Sequence, residues 1–427
     1  VVDSYGNYVT ILLGNGDGTF SPRKDLLSDS QSGVSSGVAG DFNGDGVPDL
    51  VVSDLSGLAV LLGKGNGSFQ PPVVVSLPPS LNFYLVAAGD FNRDGHLDLI
   101  VNGTTFLPGK GDGTFGTPVV VNSDSNIRSF AVGDFNNDGY LDLVDVGNEF
   151  VETQPMQVLL GNGDGTFQAA QRFWTSPQYP DKIVAADFNH DGNLDVALTL
   201  NPNGVAILLG TGSGSFAPPV IYATDDLPGG LAAADWNHDG IVDLVATANM
   251  IDVFVGKGDG TFLTRVDYPI SVFPSQPGAG DFNHDGKLDL AVSAYANGPG
   301  FLAILFGNGD GTFQTPLLFT DNAPTGAPLV ITDLNGDGID DALVAAEGGS
   351  LFLSAPMAVV SPSLLAFGTV ATGTTAGSMA ITVTNTGNSP LTVTGAATAE
   401  PFSITGPVCQ SALVRLANCE IPVVLPH

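Results

Sequence analysis

Along most of this chain, apolar residues fall in short runs broken by clusters of Gly, Asn, Asp and Pro. One unit shows the pattern. Val132–Gly133 leads into a polar loop at Asp134, and the run Leu141–Val146 leaves it. Met156–Leu160 then leads to a glycine-rich turn at Gly161–Gly165, and Thr166–Phe173 leaves that turn. Val, Ile, Leu and Phe dominate the runs and suit extended chain, while the punctuating residues are those that accept tight turns. No segment keeps a 3.6-residue period, so almost no helix is expected. The pattern predicts four short strands per unit.

The unit repeats. Polar loops resembling DFNGDGVPD start at Asp41, Asp90, Asp134, Asp187, Asp235, Asp281 and Asp333, in steps of 44 to 53 residues. Turns resembling GNGDGTF start at Gly14, Gly63, Gly109, Gly161, Gly210, Gly256 and Gly307, and the Phe ending each precedes the next loop by 19 to 21 residues. Four antiparallel strands at this interval predict an all-β chain built as a β-propeller. A calcium β-roll would need tandem copies about nine residues apart. Residues 1–27 supply about three strands, six full repeats follow, and Leu329–Ser354 supplies about three more. That total lies between the needs of a seven-bladed and an eight-bladed ring.

Each loop carries three carboxylates and one amide at offsets 1, 3, 5 and 9. The sets are Asp41, Asn43, Asp45, Asp49; Asp90, Asn92, Asp94, Asp98; Asp134, Asn136, Asp138, Asp142; and Asp187, Asn189, Asp191, Asp195. They continue as Asp235, Asn237, Asp239, Asp243; Asp281, Asn283, Asp285, Asp289; and Asp333, Asn335, Asp337, Asp341. A Gly at offset 6 permits the sharp turn, and the residue after it can offer a backbone carbonyl. Hard oxygen donors at this spacing suit Ca²⁺, the cofactor expected here. In the seventh loop Leu334 replaces an aromatic residue and Asp340 crowds Asp341. The residue after the first Asp (Phe42, Phe91, Phe135, Phe188, Trp236, Phe282 or Leu334) points away from the ligands on a strand of period 2, so it should pack between blades. The Phe ending each glycine-rich turn should do the same. His190, His238 and His284 sit at offset 4 and should face solvent.

The net charge of −32 comes from 44 acidic and 12 basic residues, and the loops hold 21 of the acids. Ca²⁺ in all seven would bring it to −18. Such acidity disfavours nucleic acid and anionic membrane surfaces as partners. No stretch approaches the roughly 18 apolar residues of a membrane-spanning helix, so direct membrane insertion is not expected. Calcium loops of modest affinity suit a compartment rich in calcium, which points to a secreted or cell-surface protein. Cys409 and Cys419 can close a small loop as a disulfide, worth about 2–3 kcal/mol. Gly33–Gly37 spells the G-x-S-x-G of hydrolases, but a strand rather than a helix should follow, so the match carries no chemistry.

DFNGDGxxD alternating with GNGDGTF resembles the FG-GAP and VCBS repeats of bacterial surface proteins, which are similar to the calcium-binding propeller of integrin α-subunits. The resemblance covers residues 1–355 and implies a seven-bladed ring closed by the N-terminal segment. From residue 356 the pattern changes. AITVTNTGNSPLTV resembles the immunoglobulin-like domain of the ASPM/SPD-2/Hydin group, which implies a β-sandwich over residues 356–427, whole or truncated.

No loop carries an extra acid or base, so a structural metal is expected and the chain is not expected to be an enzyme. The expected function is adhesion or recognition, with an extracellular protein or polysaccharide as partner. The alternatives are an accessory domain of a secreted enzyme whose catalytic domain lies elsewhere, or a structural spacer. In similar propellers recognition sits on the face opposite the calcium loops. The candidate segments there are Gly147–Gln157, with Glu149, Phe150 and Glu152, and Asn297–Gly300. Tyr84, Trp174 and Tyr179 lie near other connections on that face.

Overall fold

The computed structural model describes residues 7–12, 24–27, 34–54, 57–75, 77, 85–122, 127–147, 156–173, 179–296, 300–320, 329–347, 358–361, 379–385, 403–404 and 418–424. All regular structure among them is β. The first two strands are β1 (Asn7–Leu12) and β2 (Lys24–Leu27). The first blade takes β3 (Val34–Gly40), β4 (Asp49–Asp54), β5 (Gly57–Leu61) and β6 (Val73–Val75). The second takes β7 (Val86–Gly89), β8 (Asp98–Val101), β9 (Thr105–Leu107) and β10 (Val119–Val120). The third takes β11 (Ile127–Gly133), β12 (Asp142–Gly147), β13 (Met156–Leu159) and β14 (Gln171–Phe173). The fourth takes β15 (Tyr179–Ala186), β16 (Asp195–Asn201), β17 (Val205–Leu208) and β18 (Val220–Tyr222). The fifth takes β19 (Gly230–Ala234), β20 (Asp243–Thr247), β21 (Ile251–Phe254) and β22 (Val266–Tyr268). The sixth takes β23 (Phe273–Gly280), β24 (Asp289–Tyr295), β25 (Gly300–Leu305) and β26 (Leu317–Thr320).

The molecule is thus a β-propeller with six blades of contiguous chain, which corrects the expectation of seven or eight such blades. The reason lies in how the two ends of the repeat array are used. Among the described residues, β27 (Leu329–Thr332) and β28 (Asp341–Glu347) are followed by no third and fourth strand in the same sheet. They share a sheet with the N-terminal strands in the order β2-β1-β28-β27, with Tyr8 opposite Ala346 and Ile11 opposite Leu343. In this composite sheet β27 lies beside β23 on one side and β3 on the other.

Burial explains the strand sequences. The second and third strands of a blade are covered on both sides, so β8, β13, β16, β17, β20 and β21 are buried almost throughout and need no polar alternation. The fourth strands are edges: Val73, Val74, Val120 and Ile221 are exposed. The aromatic residue after each first Asp is buried, from Phe42 at 3% exposure to Phe282 at 0%, as period 2 requires. In the first five blades it meets the Phe that ends the next blade's glycine-rich turn. Phe42 lies 6.0 Å from Phe115 and Phe135 6.0 Å from Phe216, and the pairs Phe188–Phe262 (5.9 Å) and Trp236–Phe313 (6.1 Å) follow, all edge to face. Leu334 takes this place in the composite sheet and packs with Phe69 of the first blade. The sequence does not show the bulges in the inner strands, where buried hydroxyls take up the backbone groups left over. Thr199 Oγ1 accepts from the Lys182 amide at 2.9 Å, and Ser293 Oγ accepts from the Gln276 amide at 3.1 Å.

The C-terminal region forms one four-stranded sheet, in the order β29 (Ala358–Ser361), β30 (Met379–Asn385), β32 (Asn418–Val424), β31 (Ser403–Ile404). A β-sandwich needs two facing sheets. Among the described residues one is present and no immunoglobulin-like sandwich is evident; the rest of residues 356–427 lies outside the described residues. Cys419 lies on β32 opposite Val383, and Cys409 is outside the described residues, as is the expected pairing of the two. Among the described residues no helix is long and apolar enough to cross a membrane.

Candidate functional site

Each inner strand runs straight into one Asp-rich loop, and each second strand leaves it. In the loop at Asp281, Oδ1 of Asp281 accepts from the Asp285 amide at 3.1 Å and Oδ2 from the Gly286 amide at 2.9 Å. Asn283 Oδ1 accepts from the Asp285 amide at 2.9 Å, and Asp285 Oδ1 accepts from the Lys287 amide at 3.0 Å. These bonds curl the loop around its own carboxylates. The curl needs two left-handed residues: Gly286 at φ +80°, where an L side chain is strained, and His284 at φ +56°. His190, His238 and His284 all take this left-handed position and are exposed, as expected.

The ninth residue behaves differently from the other three. Asp49, Asp98, Asp142, Asp195, Asp243, Asp289 and Asp341 are all at 0% exposure. In the six contiguous blades one oxygen accepts from the amide of the aromatic residue and the other from the first Gly of the same blade's glycine-rich turn. For Asp289 these are Phe282 at 3.0 Å and Gly307 at 2.8 Å. Close approach makes that Gly obligatory, since a Cβ on Gly307 would stand 2.1 Å from the Leu288 carbonyl oxygen. Burial pushes the carboxyl pKa up, to about 6 for Asp98, Asp142, Asp195 and Asp243 and about 7 for Asp289, against the lowering by backbone N–H donors. The turn then reaches the neighbouring blade: the Gly113 amide donates to the Phe42 carbonyl at 3.0 Å, and Gly165, Gly214 and Gly260 repeat the link to Phe91, Phe135 and Phe188. Gly67 makes it to Leu334 at 3.3 Å, joining the first blade to the composite sheet. Asp340, which crowds Asp341 in the sequence, turns instead to the Asp281 amide of the sixth blade at 2.9 Å.

The donor set of each loop suits a hard cation: one amide oxygen and three carboxylates, one of them buried where its charge is disfavoured. Each carboxylate oxygen accepting one N–H keeps a further lone pair. The side chains do not stand gathered around one point, however. Among the described residues no three acidic, His or Cys side chains form a metal-holding group. In the first five loops the Asn amide donates to the middle Asp, as Asn43 Nδ2 does to Asp45 Oδ2 at 3.0 Å. In the sixth, Lys287 Nζ lies 3.8 Å from Asp285 Oδ2.

The other ends of the inner strands have a different character. Tyr179 begins β15 opposite Asn201, the last residue of β16, and Phe273 begins β23 opposite Tyr295. Tyr179 is 47% exposed and Phe273 49%. Arg128, Tyr179, Pro180, Asp181, Asn201 and Leu227 line a shallow pocket there, drawn from the third and fourth blades and the connection to the fifth. Of these only Tyr179 was evident in the sequence; the rest carry no motif. Residues 148–155, 297–299, Tyr84 and Trp174 lie outside the described residues.

A second polar cluster sits inside the fifth blade. Asp252 is fully buried; its Oδ2 lies 3.3 Å from Arg265 Nη1, and its Oδ1 has no hydrogen-bond partner. Burial pushes its pKa up to about 7, outweighing the pull of Arg265. A folded-state pKa above the unfolded value means the native state holds the proton more tightly. Its contribution is therefore complete at pH below about 4 and is lost as pH rises to about 7. In urea melts, Asp252→Asn is expected to gain on the wild type as pH rises from 5 to 8. A pH-independent difference between the two would show that Asp252 is ionised throughout.

No curated protein sequence matches the chain. Among solved structures, an Agrocybe aegerita lectin described as recognising non-reducing terminal N-acetylglucosamine is similar, at 19% identity and a TM-score of 0.54, over 81% of this chain and 96% of the lectin. A Burkholderia pseudomallei lectin is similar at 15% identity and a TM-score of 0.55, over 74% of this chain and 97% of the lectin. BBS1N, solved in complex with ARL6DN, is similar at 11% identity and a TM-score of 0.51, over 81% of this chain and 99% of that one. At these identities the likeness is one of fold. The sequence-level match is stronger: the FG-GAP-like repeat family matches residues 1–52, 41–101, 102–144, 150–198, 187–246 and 244–292, and the FG-GAP repeat matches residues 273–312. With strands, loops and turns in register across these spans, the chain belongs to the FG-GAP repeat family.

Proposed function

We propose that this chain is a non-catalytic recognition module of a secreted or cell-surface protein, fastened on one face by Ca²⁺ and binding its partner on the other. The observation that carries this reading is the contrast between the two ends of the inner strands. One end is spent on Asp-rich loops whose oxygens, amides and turns lock neighbouring blades together. The other presents exposed aromatic rings beside polar side chains, the composition of a binding surface. The composite sheet stands between the sixth and first blades, with β27 beside β23 on one side and β3 on the other. In each loop the Asp at offsets 1, 5 and 9, the Asn at 3 and the carbonyl at 7 would hold the ion. Lectins of similar fold support carbohydrate as a partner class, and the complex of BBS1N with ARL6DN supports protein.

The test is an array of glycans and extracellular-matrix proteins probed with the whole chain, with and without Ca²⁺. Binding to at least one class is expected, strongest with Ca²⁺. A chain that binds neither class in either condition is not a recognition module.

A further inference from the structure

The face opposite the loops carries two exposed aromatic platforms. The first is the pocket of the fourth blade. Tyr179 lines it, together with Leu227, at 46% exposure, from the connection between the fourth and fifth blades. Arg128 of the third blade donates to Asp181 Oδ1 at 2.8 Å, and Lys182 Nζ lies 3.7 Å from Asp181 Oδ2. Among the described residues, the side-chain amide of Asn201 and the Tyr179 hydroxyl make no hydrogen bond. The second platform is Phe273 with Tyr295, two blades further round. Their rings lie 5.5 Å apart at 32°, and both are exposed. The two platforms share a construction: an aromatic–proline pair (Tyr179-Pro180, Phe273-Pro274) opens the inner strand, and a register shift follows it.

We propose that this face binds an extended neutral glycan, one pyranose ring seated at Tyr179 and another ring of the same chain stacked on Phe273–Tyr295. The assignment rests on the recognition role proposed above and specifies its ligand and site. The chemistry selects a sugar. A pyranose offers an apolar C–H face for an aromatic ring and hydroxyls that both donate and accept. The pocket supplies that combination: an aromatic ring, a carboxylate acceptor and an uncommitted amide. An apolar peptide side chain would leave these polar groups unpaired, which costs binding energy. The charge selects neutrality. At −32 overall, the protein repels a polyanion, and Arg128 and Lys182 at the pocket are already set against Asp181. Two platforms on one face favour a polymer over a single sugar, because the second contact is made at high effective concentration once the first has formed.

Affinity electrophoresis of the whole chain through gels containing laminarin, galactomannan, xyloglucan or polygalacturonate tests this. Retardation by at least one neutral polymer and none by polygalacturonate is expected. Tyr179→Ala should weaken that binding at least about tenfold, and Tyr179→Phe should retain most of it. Phe273→Ala should weaken the polymer at least about threefold yet leave a short oligosaccharide of the same sugar unaffected. Both positions are exposed, so the variants should melt with the wild type. Retardation unchanged in Tyr179→Ala and Phe273→Ala overturns the site while the recognition role stands. Retention by polygalacturonate alone overturns the neutral ligand. Binding only to proteins on the array, with no neutral polymer retained, overturns the glycan assignment and again leaves the recognition role standing.

Discussion

Chelation is expected to lower the melting temperature of this protein by at least about 10 °C, and added Ca²⁺ to restore it. A ligand that binds only the native state stabilises it by RT ln(1 + [L]/Kd), so a loop with Kd near 10⁻⁴ M gains roughly 2 kcal/mol at a few millimolar Ca²⁺. Several loops acting together make the sum large against the few degrees that each kcal/mol moves a domain of this size. The structure adds a reason for the loss to spread. In the six contiguous blades the loop is tied through its ninth Asp to a glycine-rich turn, and in the first five of them that turn is bonded to the loop of the neighbouring sheet. Three unneutralised carboxylates in one loop therefore strain a blade junction as well as a hairpin. The measurement is calorimetry with EDTA and then with excess Ca²⁺, using Mg²⁺ as the control cation. A melting temperature indifferent to EDTA would remove Ca²⁺ from the account and leave the loops as N–H-bonded turns.

The second large effect is expected from Asp289→Ala. Its carboxylate is wholly buried and accepts from the Phe282 and Gly307 amides. Truncation leaves two buried N–H donors unpaired at about 1–3 kcal/mol each, so the loss is about 2–6 kcal/mol. Relief of a buried charge offsets part of this at neutral pH, because the carboxyl pKa already stands at about 7. The lower half of the range is therefore expected. Run in EDTA, the experiment is independent of metal. The control is Asp285→Ala, whose side chain is exposed and holds only its own loop. Urea melts in which Asp285→Ala costs as much as Asp289→Ala would show that the buried bridge does not hold the blade.

Several features are legible in the sequence, and for local reasons. The aromatic at the second loop position was assigned to blade packing because strand period alone sends it opposite the acids, and Phe42, Phe135 and Trp236 do pack there. The four-strand unit followed from apolar runs and turn residues at fixed spacing. The number of contiguous blades did not. Whether β1 pairs with β28 depends on two segments from opposite ends of the array meeting, and no periodicity within either encodes that. In the C-terminal region, alternating strands and turns identify sheet-forming chain, and the described residues do form a sheet, but a sandwich is defined by how two sheets face each other, which strand patterning does not encode.

The Asp-rich loop shows the same division. From its sequence alone came its four oxygen-bearing side chains, its glycine hinge and its place between two strands, because these depend on residue type and spacing within nine positions. Only the tertiary structure separated the third acid from the other two. Asp289 is a buried bridge because Gly307, eighteen residues away, is brought against it by the folding of β24 onto β25. Only the tertiary structure, too, gathered Arg128, Tyr179, Asp181, Asn201 and Leu227 into one pocket. Those residues belong to two blades and the connection to a third, and their proximity is set by the packing of blades around the ring, a long-range arrangement that leaves no spacing to read along the chain.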